Sequence, residues 1–149
     1  MMDRSRLGYS TKPSRAVIND WRVKLFCQAI GETDPVYTDP AVAKSLGLRA
    51  CPVPPTYLKA IEGDHCTSAA ILKLLEVPLK GVLHAEQSFT HYTQVYVGDT
   101  LEVSRKIVDI YDKKNGEFTF IVVDSFYQIA DEMAATSRQV ILVRNSVKP

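Results

Sequence analysis

Ten residues, Gly31-Glu32-Thr33-Asp34-Pro35-Val36-Tyr37-Thr38-Asp39-Pro40, gather carboxylates, a phenol and turn-forming prolines just past a short amphipathic segment. A second stretch, Pro54-Pro55-Thr56, opens another predicted helix. Ionisable groups at one helix exit, facing the start of a second helix, could hold a carbonyl group and a water together. A carboxylate can orient and deprotonate water, and the free N–H groups of a helix start can donate to a carbonyl oxygen. His84 adds an imidazole, the side chain that changes charge near neutral pH.

Several elements must position these groups. Asn19 or Asp20 caps a helix running to about Ile30, with Val23, Phe26, Cys27 and Ile30 as its apolar stripe and Gly31 in the left-handed position beyond it. Asp39-Pro40 starts a short helix that runs to Leu46 and stops at Gly47. Tyr9 to Val17 reads as a first strand. Pro52, Pro54 and Pro55 stiffen a loop feeding a third helix from about Thr56. Leu58 and Ile61 share one face of that helix, and Gly63-Asp64 weakens it by about 1 kcal/mol. Ser68 to Leu75, capped by Thr67, carries Ile71, Leu72 and Leu75. Together they read as one long helix interrupted by a surface bulge.

The rest reads as strand. His84 to Val95, Leu101 to Tyr111, Glu117 to Ile129 and Met133 to Val143 are joined by tight turns, at Gly98-Asp99, at Asn115-Gly116 as a type I′ hairpin, and at Ala130-Asp131-Glu132. Long strands joined by tight turns make an antiparallel sheet, with a three-strand meander after the helices. A helix wrapped by a strongly curved antiparallel sheet is the α+β hot-dog arrangement, expected here as a single domain over 1–149.

Composition sets the bounds. The chain has 149 residues, 46% apolar and 23% charged, enough for one real core. A net charge of +1 favours neither nucleic acid nor an anionic membrane surface. No apolar run approaches the ~20 residues of a membrane span, and Met1 to Tyr9 lacks a signal-peptide core, so the chain reads as cytoplasmic. Cys27, Cys51 and Cys66 are widely spaced without a C-x-x-C, so buried thiols are expected, with no disulfide framework and no metal site. No cofactor is expected.

The stretch Phe26-Cys27-Gln28-Ala29-Ile30-Gly31-Glu32-Thr33-Asp34-Pro35-Val36-Tyr37 resembles the loop of the MaoC-like hot-dog hydratases, in which a helix ends in Gly-Asp and continues to Asn-Pro and a His. Val53-Pro54-Pro55-Thr56, the segment Val82 to Phe89, and Val97-Gly98-Asp99-Thr100-Leu101 are similar to the FAS1-like dehydratase branch. The resemblance covers about Val17 to Val143. It implies addition of water to a 2-enoyl thioester, or its removal from a 3-hydroxyacyl thioester, carried by coenzyme A or acyl-carrier protein. It also implies a homodimer, or a heterodimer with a second hot-dog subunit.

Against that pattern, three positions differ. Glu32 stands where the Asp is expected, Tyr37 where the His is expected, and Pro55, without an N–H, where the oxyanion glycine falls, so Thr56 N–H would substitute. The candidate catalytic groups are Glu32, Tyr37 and His84. Asp34, Pro54, Pro55, Thr56 and Tyr57 are the candidate substrate-binding residues.

Structural readings stand beside these. Glu32 reads equally as a solvated helix-end carboxylate, Asp34 and Asp39 as turn caps, and Tyr37 as a ring packed over the loop. His84 reads first as a sheet histidine, His65 and His91 as surface residues. Lys73, Lys80, Arg105 and Lys106 read as scattered surface charges before coenzyme A contacts. The altered positions leave two roles open, an enzyme in its own right or the acyl-binding half of a heteromeric dehydratase. A thioesterase on the same fold would need a helix carboxylate, Glu62 or Asp64.

Overall fold

Inward-facing apolar residues alternate with polar ones along three long strands, and that alternation builds the sheet. The computed structural model describes residue 2 and residues 4–145. The chain runs β1 (Ser14–Val17), α1 (Asp20–Ile30), a 3-10 turn (Pro35–Tyr37), α2 (Pro40–Ser45), α3 (Tyr57–His65), α4 (Ser68–Leu74), β2 (Val82–His91), β3 (Thr100–Lys113), β4 (Phe118–Ile129) and β5 (Glu132–Arg144). The five strands form one antiparallel sheet in the order β1-β3-β4-β5-β2. This is the hot-dog fold, with α3 and α4 in the place of the central helix.

Local chemistry explains most boundaries. Gly31 ends α1 at φ 72, where a side chain would be strained, and its N–H returns to α1 carbonyls. Asp39 caps α2 by accepting the Ala41 N–H at 2.8 Å, with Pro40 at the first helical position. Thr67 caps α4 through the Ala70 N–H at 3.1 Å. The expected single long helix is in fact two. Cys66, at φ −139 and ψ 64, leaves the helical region, and Thr67 is extended, so α4 starts afresh from its own cap.

Three other expectations shift. The first strand is confined to Ser14–Val17, preceded by an isolated bridge from Ser10 to Lys106. β2 starts two residues earlier than expected and leaves the sheet at Tyr92, where the Tyr92 and Thr93 N–H groups both turn onto the Ala134 carbonyl. The β3–β4 turn centres on Lys114 and Asn115, both at positive φ, with Gly116 N–H on the Lys113 carbonyl; the type I′ signal was one residue out of register.

Two apolar clusters fill the concave side. One joins α1 and α3 to the sheet through Val23, Cys27, Tyr57, Leu58, Val103 and Tyr127. The other joins α4 through Ile71, Leu72, Ile107, Ile121 and Ile141. Ile30, assigned to the α1 stripe, is exposed instead, because the helix is ending and turns its last residue outward.

Between the clusters runs a polar belt. Arg105, Ser125 and Ser137 lie in register across β3, β4 and β5 on the helix-facing side. Arg105 is 1% exposed, which corrects its reading as a surface charge: in the series Leu101, Val103, Arg105, Ile107 it takes an inward position.

Candidate functional site

An open cleft of about 380 Å³ lies at the start of α3. One wall is Val53, Pro55 and Leu58; the other is the exit of β2, from His91 to Val95. The proline segment is fastened to the β2–β3 connection by backbone hydrogen bonds, Val53 N–H to the Val95 carbonyl at 3.0 Å and Val97 N–H to the Cys51 carbonyl at 2.9 Å. A side-chain clasp reinforces them. Arg49 donates to both oxygens of Asp99 at 2.7 and 2.8 Å and lies 4.2 Å from the centre of the Tyr96 ring, while Asp99 also accepts the Tyr96 N–H at 2.9 Å.

At the head of α3, Tyr57 N–H turns back to the Pro54 carbonyl and Lys59 N–H to Thr56. The Thr56 and Leu58 N–H groups have no acceptor among the described residues. Leu58 lines the cleft and Thr56 is exposed beside it, so the first turn of α3 with its free N–H groups borders the cleft.

The sequence-nominated residues divide. Pro55 lines the cleft, with Thr56 exposed beside it, whereas Pro54 is buried behind. Tyr57 is not in the cleft. It is 0% exposed, its ring meets Phe26 edge-on at 5.4 Å, and burial pushes its hydroxyl up to about 12. It faces inward because the first turn of α3 packs against α1.

The 31–40 loop is held by its own carboxylates. Glu32 bends back to accept the Asp34 N–H at 2.8 Å, and Asp34 accepts the Val36 N–H at 2.9 Å. Tyr37 packs against the first apolar cluster; burial, then Glu32 and Asp34, push its phenol above the ordinary value. None of these three side chains lines the cleft.

His84 is at the wrong end of its strand. It pairs with Ile141 beside the second cluster, and its Nε2 lies 3.1 Å from the Glu86 carbonyl. The cleft begins at His91, seven positions on, about 23 Å along the strand at roughly 3.3 Å per residue. Within one chain His84 and the α3 start are not brought together.

Sequence reasoning overlooked two features. The first is that His91, exposed as its surface reading expects, also lines the cleft. The second is the network around Glu62, which is 1% exposed. Glu62 accepts from Tyr127, from Ser137 at 2.7 Å and from Lys59, with an Arg105 nitrogen 3.6 Å away. Arg105 also donates to Gln139 at 2.6 Å, to the Cys66 carbonyl at 2.8 Å and to Ser125 at 3.1 Å. Burial pushes the Glu62 carboxyl up, but the charges and hydrogen bonds of Arg105, Lys59 and Tyr127 outweigh it and hold the group below its ordinary value. Burial lowers Lys59 and raises Tyr127. The carboxylate that a thioesterase would need is thus already saturated, and Asp64 is held by Arg22 at 2.9 Å. The inward positions of Arg105 and Tyr127 in their strands were the available signal.

Residues 5–137 match the family described as FAS1-like, dehydratase domain region. A UPF0336 protein of Streptomyces avermitilis is 31% identical over 132 residues, covering 88% of this chain and 85% of that protein. The 3R-hydroxyacyl-ACP dehydratase complex HadBC of Mycobacterium tuberculosis contains a chain that superposes with a TM-score of 0.80 at 17% identity, over 93% of this chain and 97% of that one. A chain of the ChsH1-ChsH2 complex of the same organism gives 0.73 at 22%, over 91% and 89%. The (R)-hydratase from A. caviae involved in PHA biosynthesis gives 0.69 at 19%, over 93% and 98%. At these identities the solved structures show the shared fold.

Proposed function

The chain belongs to the FAS1-like dehydratase family, and from that membership we propose that it handles a 2-enoyl or 3-hydroxyacyl thioester in the cleft at the start of α3. The observation that carries this is the cleft's lining: Pro55 of the rigid proline segment and Leu58 of the first turn of α3 lie opposite a polar strand exit. A thioester carbonyl placed there meets donors whose value rises as enolate charge develops. The acyl carrier is coenzyme A or acyl-carrier protein, and the protein works as one hot-dog domain in the cytoplasm.

In this reading the 31–40 loop supports the cleft and does not move protons. The Glu32 carboxylate is turned onto its own loop, and the Tyr37 phenol is held neutral. A partner completes the assembly. β2 is a ten-residue edge strand, and such an edge invites a second strand. We assign that place to a second hot-dog subunit, in a homodimer or heterodimer. HadBC and ChsH1-ChsH2 are complexes, which supports a heteromeric pair. If the partner supplies the base, this chain is the acyl-binding half.

Calorimetric titration with crotonyl-CoA tests the cleft. Thr93 is exposed and lines it, so Thr93→Trp fills the space without entering the core. Its affinity should fall at least about tenfold, a loss of about 1.4 kcal/mol. The double variant Glu32→Gln/Tyr37→Phe should bind within about threefold of wild type. The opposite pattern would return the site to the loop.

A further inference from the structure

We infer that His91 is the group that carries the proton in this cleft, taking over a task that the 31–40 loop does not perform. The inference rests on the thioester reading of the cleft and adds the missing base to it.

The strand places the imidazole. Phe89 and His91 are two residues apart in β2 and so share one face of the strand; Phe89 packs against the first apolar cluster and His91 is exposed. The two rings stack, centroids 5.9 Å apart and planes 20° from parallel, so the Phe89 face orients the imidazole. Across the sheet His91 stands in the row Val103, Tyr127, Ala135. Its neighbour Ala135 is small, which leaves room between the imidazole and the α3 start. The chain leaves the sheet at the next residue, so His91 sits at the rim of the core, exposed on one side and lining the cleft on the other.

Chemistry selects it from its neighbours. Of the eight residues that line the cleft, Val53, Pro55, Leu58, Thr93, Gln94 and Val95 offer no side chain that gains or loses a proton near neutral pH, and a phenol such as that of Tyr92 is a poor base. Imidazole alone changes charge between about pH 5 and 8. It lines the same cleft as Leu58 in the first turn of α3, next to exposed Thr56.

The step balances with no further reagent. Neutral His91 takes one proton from water as the water oxygen bonds to C3 of the enoyl thioester. The C2–C3 π pair moves toward the carbonyl, whose oxygen becomes an enolate held by the helix-start donors. The imidazolium then returns its proton to C2, the carbonyl re-forms, and His91 is neutral again. The sum is one water added; the reverse sequence removes it.

The test uses the full chain with crotonyl-CoA and trans-2-octenoyl-CoA, following hydration by loss of enoyl absorbance and affinity by calorimetry. The expected result is hydration by wild type and a loss of more than about 100-fold in His91→Gln, the ordinary worth of a general base. The loss should fall on kcat, with affinity and unfolding midpoint unchanged. Hydration that survives His91→Gln overturns the inference and leaves the thioester reading standing. So does a wild-type chain that binds both thioesters and hydrates neither, because the proton carrier then lies in a partner. A chain that binds neither thioester overturns both.

Discussion

Glu62→Ala is expected to destabilise the protein by about 3–5 kcal/mol, the usual cost of removing one member of a buried ion pair. The carboxylate answers Arg105 and Lys59 and also receives Tyr127 and Ser137. Without it, a fully buried guanidinium keeps its donors to Gln139 and Ser125 but loses its counter-charge. With an m value of about 2 kcal/mol/M, the urea midpoint should fall by roughly 2 M. The pH dependence has a definite sign. The folded-state Glu62 carboxyl is held below its ordinary value, so its contribution is fully present above the ordinary carboxylate range. It fades as pH falls through the lowered folded value. Wild type should therefore lose more stability than Glu62→Ala when both are taken into acid. Equal acid losses in urea titrations would remove Glu62 from the account.

The second large effect concerns the clasp that holds the cleft. Asp99→Ala should cost about 2 kcal/mol, the order expected for charge-assisted hydrogen bonds to a largely buried carboxylate. Arg49 is mostly exposed, so its share is screened, and the Tyr96 N–H left without its acceptor carries much of the rest. The consequence for binding should exceed that of other substitutions of equal stability cost. Asp99 ties the 49–53 segment to the 95–97 segment, and these bear opposite walls of the cleft. Crotonyl-CoA affinity should fall about tenfold, against no change for a similarly destabilising substitution in the second apolar cluster, such as Ile110→Ala. Calorimetry on both variants at a temperature where each is folded makes the comparison.

The fold was legible because its signals are local and redundant. Three long strands joined by tight turns specify the antiparallel meander β3-β4-β5, whereas the pairing of β2 with β5 rather than with its neighbour in sequence is not a local signal. Asp39-Pro40, Thr67 and Gly31 specify helix ends whatever surrounds them. The errors fall where one local signal competes with another. Asn115-Gly116 is the stronger turn dipeptide by type, yet the strand register puts the turn centre on Lys114 and Asn115. The split between α3 and α4 follows from Thr67, whose capping signal is local, whereas the break at Cys66 before it has none.

The site was less legible, because side-chain direction decides it. Glu32 and Tyr37 have suitable chemistry, but one is turned onto its own loop and the other is packed on the core. Tyr57 and Leu58 are adjacent in the chain, and only Leu58 meets the cleft. His84 and His91 share a strand whose length separates them. Period-2 counting from Phe89 would have placed His91 on the inward face. It could not have shown that the helix start stops beside it, since that depends on how α3 crosses the sheet.

The central claim is that the thioester is held between the α3 start and the exit of β2. Amide chemical-shift mapping of isotope-labelled chain during a crotonyl-CoA titration tests it most directly. The predicted result is saturable shifts largest at Val53, Leu58, Thr93 and Gln94, with the Glu32–Tyr37 amides moving little. Shifts concentrated in Glu32–Tyr37, or none at all at millimolar ligand, would contradict it.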